Sequence, residues 1–335
     1  MKVPGEQGRF LVEPARLPAD TEVTRPDRGR RTRSAVQRTP VSIFNALANR
    51  RYQLDESVPA AFFAEHGFLL IHALCDTTLS LRPGMASIWT ALRGEVLFST
   101  TDSKALLTRR SIYTADSQRH LTLAVGSASR CVGVVATQNA WSRLVEPWEA
   151  IASQECTMIP TVHAASRNVR RSILRLLHEL HADGTGMARQ GSLWLLASII
   201  NDLQHGFEPG IGRCPGHSLA KRRAVFLRLQ RARNYIEFGS TRDFNVGKLA
   251  LIANYSIWRF IKVFCMVYGE TPYACVSRSR AEHARRLLED SELAVGDVGI
   301  ASGFDSRASF TRVIKRQLGQ PASAIRRAAR IGIAV

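Results

Sequence analysis

The sequence predicts an α+β multidomain protein in which a β-rich domain precedes an all-α domain. Short apolar runs broken by Gly, Ser, Asp and Thr fill residues 45–140, which is typical of strands and turns. After about residue 140, apolar residues recur at the spacing of amphipathic helices. The segment beyond Lys221 also repeats itself at an offset of 50 residues. With 335 residues, the chain is long enough for two domains.

Charge is the unusual part of the composition. The chain has 46 Lys and Arg against 28 Asp and Glu, a formal net charge of +18. Residues 221–335 alone hold 21 basic and 9 acidic residues, which is +12 of that total. Such an excess favours a polyanionic partner, either nucleic acid or an acidic membrane surface. A basic surface that only contacts water would have the same composition, so a sequence motif is needed to distinguish it from a polyanion-binding surface.

Residues 1–40 are rich in Pro and Arg, and we interpret them as a disordered basic arm because they cannot bury enough apolar surface to fold. The six cysteines lack CxxC pairs and paired spacing with His, which indicates reduced, mostly buried thiols and no zinc site or disulfide framework. No run of about 18 apolar residues and no signal peptide is present. We therefore expect a soluble, cytoplasmic protein that has no membrane partner.

The histidines give no sign of catalysis. None of the nine lies in an HxH pair, and none has a carboxylate at a cupin-like metal spacing. His178 and His181 lie three residues apart on a predicted helix, which could hold a metal, although such histidines are more often exposed. We therefore predict no enzyme activity, no metal and no cofactor.

Residues 41–205 are predicted to form a regulatory domain, a β-barrel of cupin-like form with a helical hairpin. The stretch LRGEVLF, residues 92–98, is a candidate β-hairpin. Two helices follow, and each packs either on the barrel or on a second copy of the chain. Their apolar faces consist of Val169, Ile173, Leu176, Leu177 and Leu180 in the first helix and Leu193, Leu196, Ile200 and Leu203 in the second. Residues 206–220, with four glycines and two prolines in GFEPGIGRCPGHS, are predicted to be a linker.

The 50-residue repeat predicts two copies of one helical unit. Each copy reads as a helix, a tight turn and a second helix that begins at a serine. Asn254 and Gly303 tolerate the positive φ that such a turn requires, while Ser256 and Ser306 can cap the following helices. This is the helix-turn-helix layout, whose second helix enters the DNA major groove. The matched positions are Ser256 with Ser306, Phe260 with Phe310, Lys262 with Arg312, Val263 with Val313, and Gly269 with Gly319.

Residues 228–330 resemble the DNA-binding domain of the AraC/XylS family of transcription regulators. The resemblance covers both helix-turn-helix units, the linking helix PYACVSRSRAEHARRLLEDSEL and the second-unit signature VGDVGIASGFDSRASFTRVIKRQLGQ. We therefore predict an AraC-type DNA-binding domain over residues 221–332. The N-terminal region is similar to that family's β-barrel regulatory domain in strand texture and position.

The resemblance implies which residues face DNA. In the first reading helix these are Trp258, Ile261 and Lys262, and Trp258 could instead anchor a core or a domain interface. In the second reading helix they are Arg307, Ala308, Thr311 and Arg312, followed by Lys315 and Arg316 at phosphates. The opposite faces, expected to form the cores, hold Phe260, Val263, Phe264, Phe310, Val313 and Ile314.

Two features depart from the family pattern. Pro321 comes one position early after the second closing glycine, which predicts a rearranged cap. The first reading helix is apolar where polar residues are expected, as at Ile257, Ile261 and Met266. Apolar side chains cannot form the bidentate bonds that discriminate bases most strongly. We therefore expect the second unit to dominate affinity, and the N-terminal domain or a partner to cover part of the first unit.

The resemblance implies a sequence-specific transcription regulator, in most of the family an activator, controlled by an effector or a partner at the N-terminal domain. Its expected partners are double-stranded DNA at two adjacent major grooves and RNA polymerase, with a small-molecule effector and a homodimer left open. The alternative is an architectural DNA-binding protein whose N-terminal domain only oligomerises. Membrane-surface binding is disfavoured because the basic residues lie on short helices with packed cores.

Overall fold

The computed structural model describes residues 41–54, 62–63, 67–145, 158–164, 167–181, 186–238 and 244–333. The predicted basic arm, residues 1–40, lies outside these ranges, as does Cys156. Of the other cysteines, Cys131, Cys214 and Cys275 are buried free thiols, as predicted. Burial raises the pKa of the Cys131 thiol to about 12, which leaves it unreactive.

The N-terminal region folds into two β-sheets. The six-stranded sheet has the order β1-β3-β10-β5-β8-β11, and the five-stranded sheet has the order β2-β4-β9-β6-β7. Most neighbouring strands are antiparallel, but β1 runs parallel to β3 and β2 runs parallel to β4. The strands are β1 Val41–Ala46, β2 Arg51–Gln53, β3 Phe68–Ala73, β4 Thr78–Leu81, β5 Met85–Arg93, β6 Val96–Thr100, β7 Lys104–Leu107, β8 Ser111–Ala115, β9 Leu121–Val125, β10 Arg130–Thr137 and β11 Thr161–Ala164.

The two sheets face each other across one apolar core. Side chains alternate along β6, where Val96 and Phe98 are buried and Leu97 between them is exposed. The ring of Phe98 stacks on Tyr113 of the other sheet with centroids 3.8 Å apart. Side chains that alternate between buried and exposed are typical of β-strands. The predicted β-rich domain is confirmed.

The predicted hairpin at residues 92–98 is wrong. Strands β5 and β6 lie in different sheets, since β5 pairs with β8 and β10 whereas β6 pairs with β7 and β9. Gly94 has a φ of +64°, and a Cβ at this position would lie 2.3 Å from the hydroxyl of Ser129. The glycine therefore turns the chain from one sheet into the other. A tight turn in a sequence does not by itself tell a hairpin from such a crossing.

Three helices cover the outer face of the six-stranded sheet: α1 Gln138–Val145, α2 Arg167–His181 and α3 Gly186–His205. One apolar core joins α2, α3 and the six-stranded sheet. It contains Val169, Ile173 and Leu176 of α2, Leu193, Leu196 and Ile200 of α3, and Ile88 and Val134 of the sheet. Of the two arrangements that the sequence left open, packing of these helices on the sheet is the one observed.

The C-terminal region is all helical within its described residues. Its helices are α4 Glu208–Arg213, α5 Leu219–Phe238, α6 Val246–Ile252, α7 Ile257–Tyr268, α8 Pro272–Asp290, α9 Val295–Ala301, α10 Arg307–Leu318 and α11 Ala322–Ile333. Helix α8 joins two cores, because Cys275 and Val276 belong to the first and Ala281, Ala284 and Leu288 belong to the second. One continuous helix therefore links the two repeated units.

The segment predicted as a linker, residues 206–220, is partly structured. Its middle forms α4, and Ile211 and Cys214 are buried in the core shared with α5 and α7. A Cβ on Gly210 would lie 2.5 Å from the ring of Phe226, so this glycine permits close packing of α4 on α5. A glycine in this segment therefore allows two helices to pack closely, a role that the prediction of a linker did not include.

Candidate DNA interface

The first helix-turn-helix unit consists of α6 and α7. The side chain of Asn245 caps α6 by accepting a hydrogen bond from the backbone N–H of Gly247 at 2.7 Å. Asn254 occupies the turn with a φ of 55°, and the chain bends by 77° between the two helices. Ser256 stands at the N-cap position of α7 in an extended conformation, but its side chain makes no capping bond. The predicted turn is present.

The second unit consists of α9 and α10, and its turn uses glycine. Gly303 has a φ of +82°, and the hydroxyl of Ser306 accepts a hydrogen bond from the backbone N–H of Ser309 at 3.2 Å. Gly299 lies against the ring of Phe310, where a Cβ would come within 3.3 Å. The two helices of the unit therefore pack closely, with Phe304 and Phe310 in edge-to-face contact at 5.3 Å.

Helix α10 divides cleanly into a buried face and a basic face. Phe310 and Ile314 are buried in the second core, and Val313 is half-buried beside them. The other side lines one open depression formed by Arg307, Ala308, Thr311, Arg312, Lys315 and Arg316, all of which are exposed. Within the described part of the chain, no carboxylate pairs with any of these four cations. The sequence had placed all six residues on one face, and the structure brings them together.

Helix α7 also has a buried face, formed by Phe260, Val263 and Phe264. Of its predicted DNA-facing residues, Trp258 is 85% exposed, Lys262 is exposed and Ile261 is half-buried against the core. The alternative of Trp258 as a core or interface anchor is therefore wrong.

An apolar surface surrounds Trp258. Leu251 on the preceding helix is 79% exposed, and Ile257 and Met266 on α7 are exposed as well. Within the described residues, the N-terminal domain does not cover these side chains, and cover by a partner stays a prediction. The described part of the N-terminal domain contacts α5 instead, through Asp116 and Pro160.

A cationic cluster next to the reading helix of the first unit was not predicted from the sequence. The guanidinium groups of Arg228 and Arg259 lie 5.1 Å and 5.4 Å from the ring centroid of Tyr255. Arg259 and Tyr255 also line a shallow groove at the turn together with Leu251, Asn254 and Ser256. The sequence signal was the Arg directly after Trp258, but the contribution of Arg228 from α5 depends on tertiary packing. The cluster gives the apolar first unit the positive charge that a phosphate contact requires.

The connector α8 is fixed at both ends. Thr271 caps its start by accepting from the backbone N–H of Ala274 at 3.1 Å, and Pro272 occupies the first turn. Near the other end, Arg326 of α11 donates to the carbonyl oxygen of Leu288 at 2.8 Å. The rearranged C-terminal cap predicted from Pro321 is wrong, because Gly319 ends α10 at a φ of 73° with its N–H on the carbonyl of Lys315, just as Gly269 ends α7 at a φ of 71° with its N–H on the carbonyl of Cys265. Pro321 lies beyond this cap, and its carbonyl oxygen accepts from the backbone N–H of Ala324 at the start of α11. The connector therefore holds the two units at a fixed spacing.

The part of the chain that the structure describes has no metal-binding cluster and no single membrane-spanning helix. The described residues contain no group of three or more His, Cys, Asp or Glu side chains placed to hold a metal ion. No single helix among them is both long and apolar enough to cross a bilayer, and α6 and α7 reach that length and composition only as a bent pair.

Two helix-turn-helix units on one rigid connector, each with its second helix exposed, define a double helix-turn-helix domain of the DNA-binding class. Residues 249–328 match the family described as "Helix-turn-helix domain". The C-terminal domain of the chain belongs to the AraC type of this fold, as the sequence resemblance predicted.

Two relatives and one solved structure illustrate the similarity. The chain is 27% identical over 90 residues to the "Virulence regulon transcriptional activator VirF" of Yersinia enterocolitica, which is 27% of this chain and 33% of that protein. It is 30% identical over 79 residues to the "HTH-type transcriptional regulator ExsA" of Pseudomonas aeruginosa, which is 24% of this chain and 25% of that protein. The chain thus spans a third or less of the length of these curated relatives.

The solved structure is the DNA-binding domain of AdpA, described as a global transcriptional factor, in complex with a target DNA. It shares 30% identity, with 31% of this chain and 94% of that chain covered and a TM-score of 0.30.

Proposed function

We propose that the protein is a sequence-specific, DNA-binding transcription regulator that reads two short DNA elements, one with each helix-turn-helix unit. The observation that carries this proposal is the basic face of α10, where six side chains line one exposed surface opposite a buried core. Arginine can form bidentate hydrogen bonds with guanine, and threonine can contact a base edge or a thymine methyl group. We assign Lys315 and Arg316, which lie later in the helix and are exposed, to phosphate contacts.

The spacing of the two elements follows from the connector. Two reading helices held by one helix on one side of the duplex would enter successive major grooves, which lie about 34 Å or 10 base pairs apart. Both units have the exposed second helix that this arrangement needs. We therefore propose a site with two elements separated by about one helical turn.

The finer roles are proposals by analogy with relatives. VirF is named a transcriptional activator, which supports activation as the output of this chain. We propose RNA polymerase as the partner through which activation takes place. We assign control of that output to the N-terminal domain, through an effector or a second copy of the chain, because two sheets and three helices form a separate folded core there. We place the protein in the cytoplasm, where promoter DNA is found in bacteria.

Selection of bound sequences from random duplex DNA by the purified full-length chain tests the proposal. We expect recovery of two elements about one helical turn apart. We also expect binding to weaken steeply with salt, because cationic side chains displace counterions from phosphates. Salt-sensitive binding without any recovered sequence would contradict the proposal and favour the architectural alternative.

A further inference from the structure

A chain of buried hydrogen bonds connects the N-terminal domain to the end of the first reading helix. The hydroxyl of Tyr268, the last residue of α7, donates to the side-chain oxygen of Gln230 at 3.0 Å. The amide of Gln230 donates to the side-chain oxygen of Asn234 at 2.9 Å, and that of Asn234 donates to the carbonyl oxygen of Pro160 at 2.7 Å. Three side chains thus span the distance between the two domains.

The two amides in the middle of the chain of bonds are buried, and Tyr268 at its end is half-buried. Gln230 and Asn234 are each 3% exposed, and burial raises the pKa of Tyr268 well above its ordinary value. Each side-chain amide uses both its oxygen and its nitrogen within the chain of bonds. Loss of a hydrogen-bond partner is costly for a buried amide, so these bonds favour one relative position of the elements that carry them.

The N-terminal end is held equally firmly. The carbonyl oxygen of Ile159, next to Pro160, accepts from the hydroxyl of Thr114 on β8 at 2.8 Å. The backbone N–H of Ile159 donates to the side-chain oxygen of Gln204 on α3 at 2.7 Å. The segment at residues 158–160 therefore takes its position from both the sheet and the helices of the N-terminal domain.

A second contact fixes α5 on the same domain. Arg231 is 7% exposed and donates two hydrogen bonds to the carboxylate of Asp116, at 2.7 Å and 3.2 Å. About two turns further along α5, Phe238 packs edge-on against Phe98 in the core between the sheets, with ring centroids 6.4 Å apart. Helix α5 is thus part of the interface with the N-terminal domain and also part of the core of the first unit.

The second unit is built differently. Its core consists of residues from α8, α9, α10 and α11, and Arg326 of α11 bonds to the carbonyl of Leu288 on α8. Its position relative to the N-terminal domain is therefore set through α8, at the far side of the first unit. Three side chains thus form a direct hydrogen-bonded connection between the N-terminal domain and the first reading helix.

We propose that Gln230, Asn234 and Tyr268 are positioning residues that hold the first reading helix in its DNA-competent orientation according to the state of the N-terminal domain. This inference rests on the proposed function and names how the two domains communicate. Loss of the hydrogen-bonded chain lowers the population of the competent orientation, and affinity falls by the same factor. The first element of the DNA site is affected and the second is not.

Tyr268→Phe is the sharpest variant, because it removes one hydroxyl and keeps the ring packed against Phe264 at 4.6 Å and under the guanidinium of Arg233 at 4.8 Å. Asn234→Ala breaks the chain of bonds at its other end. Tyr235→Phe is the matched control, since it makes the same change on α5 and keeps the ring that Lys248 contacts at 4.7 Å. All three variants are made in the full-length chain.

Binding is measured on three duplexes taken from the selection: one with both elements, one with the first scrambled and one with the second scrambled. We expect Tyr268→Phe and Asn234→Ala each to weaken binding about fivefold wherever the first element is intact, the effect of one lost buried hydrogen bond. Binding to the duplex with only the second element stays at the wild-type value. The double variant loses little more than either single variant, because both break the same chain of bonds.

Hydrogen exchange on the DNA-free protein supplies a readout that does not depend on DNA recognition. We expect Asn234→Ala to speed exchange at the last turn of α7, although the substituted residue lies on α5, and Tyr235→Phe to leave it unchanged. Wild-type affinity of both test variants, or equal losses on both elements, would overturn the proposal. If the wild-type chain shows no sequence preference, the proposed function fails, and unchanged exchange in α7 would overturn the mechanical connection separately.

Discussion

Arg231 of α5 and Asp116, the residue directly after strand β8, form a buried ion pair. The guanidinium meets both carboxylate oxygens, at 2.7 Å and 3.2 Å, and also donates to Gln118 at 3.0 Å. The side chains are 8% and 3% exposed. The two residues lie 115 positions apart in the sequence, so the contact stabilises the arrangement of the two domains rather than one local element.

Arg231→Leu is expected to destabilise the protein by about 3 to 5 kcal/mol, because it leaves the Asp116 carboxylate buried without a counter-charge. Urea denaturation followed by circular dichroism measures the free energy of unfolding. Arg330→Leu is the control, since Arg330 is 62% exposed and its partner Glu292 is 85% exposed. Loss of such a surface pair costs less than about 1 kcal/mol. Equal, small effects of the two substitutions would mean that the interface is loose in solution.

Arg312→Ala is expected to weaken binding to the selected DNA more than Lys262→Ala. Arg312 lies in the basic face of α10 and can form a bidentate contact, whereas Lys262 offers a single cationic point beside an apolar surface. Loss of a good bidentate contact costs about 1 to 3 kcal/mol. Titration of labelled duplex measures both affinities, and Arg171→Ala, an exposed Arg on α2, controls for the loss of one charge. The reverse order of effects would show that the first unit dominates.

The C-terminal domain was predictable from sequence because its signals are local. Asn254 and Gly303 mark their turns through backbone conformation, and the spacing of Phe310 and Ile314 separates the buried face from the basic one. Each of these signals depends on residues within a few positions, and the 50-residue repeat presents them twice. The assignment of individual side chains to bases remains a prediction.

The interface between the domains was not predictable, for a physical reason. Asn234 and Gln230 look like ordinary polar residues of a basic helix, and only the fold brings Pro160 to one and Tyr268 to the other. The predicted hairpin at residues 92–98 failed for a similar reason. The chain crosses between the sheets at Gly94, because β5 and β6 each pair with strands that lie far away in the sequence. Local patterns predict elements, whereas contacts between elements require the packed structure.

His163 is expected to make stability depend on pH. It lies on β11 next to the hydroxyl of Thr114 at 3.5 Å and the ring of Phe207 at 6.0 Å, and burial lowers its pKa to about 4 from 6.5. Between these two values the unfolded chain binds the proton and the folded chain does not. Stability is therefore fully present above pH 6.5 and falls as the pH drops towards 4, by up to about 1.4 kcal/mol per pH unit.

His163→Gln removes this contribution. We expect its free energy of unfolding to change less between pH 7 and pH 5 than that of the wild-type chain, as measured by urea denaturation at each pH. His217→Gln is the control, because His217 is exposed and precedes α5. Identical pH dependence of the wild-type chain and His163→Gln would show that the imidazole is protonated without cost in the fold.

The apolar reading face of the first unit is expected to recognise thymine methyl groups. Trp258 is 85% exposed at the second position of α7, and exposed Leu251 and Ile257 lie beside it. These side chains offer no bidentate hydrogen bond, but apolar contact with the C5-methyl group distinguishes thymine in the major groove. The selected first element should therefore be rich in A·T pairs.

Replacing thymine by uracil removes only that methyl group. We expect each critical replacement in the first element to weaken wild-type binding by about 0.8 kcal/mol, or roughly fourfold, the value of one buried methylene-sized group. In Trp258→Ala the same replacement should have little further effect, because the contact is already lost. Replacements in the second element test whether the effect belongs to one unit. A penalty that persists unchanged in Trp258→Ala would show that another part of the protein, or the shape of the DNA, reads these positions.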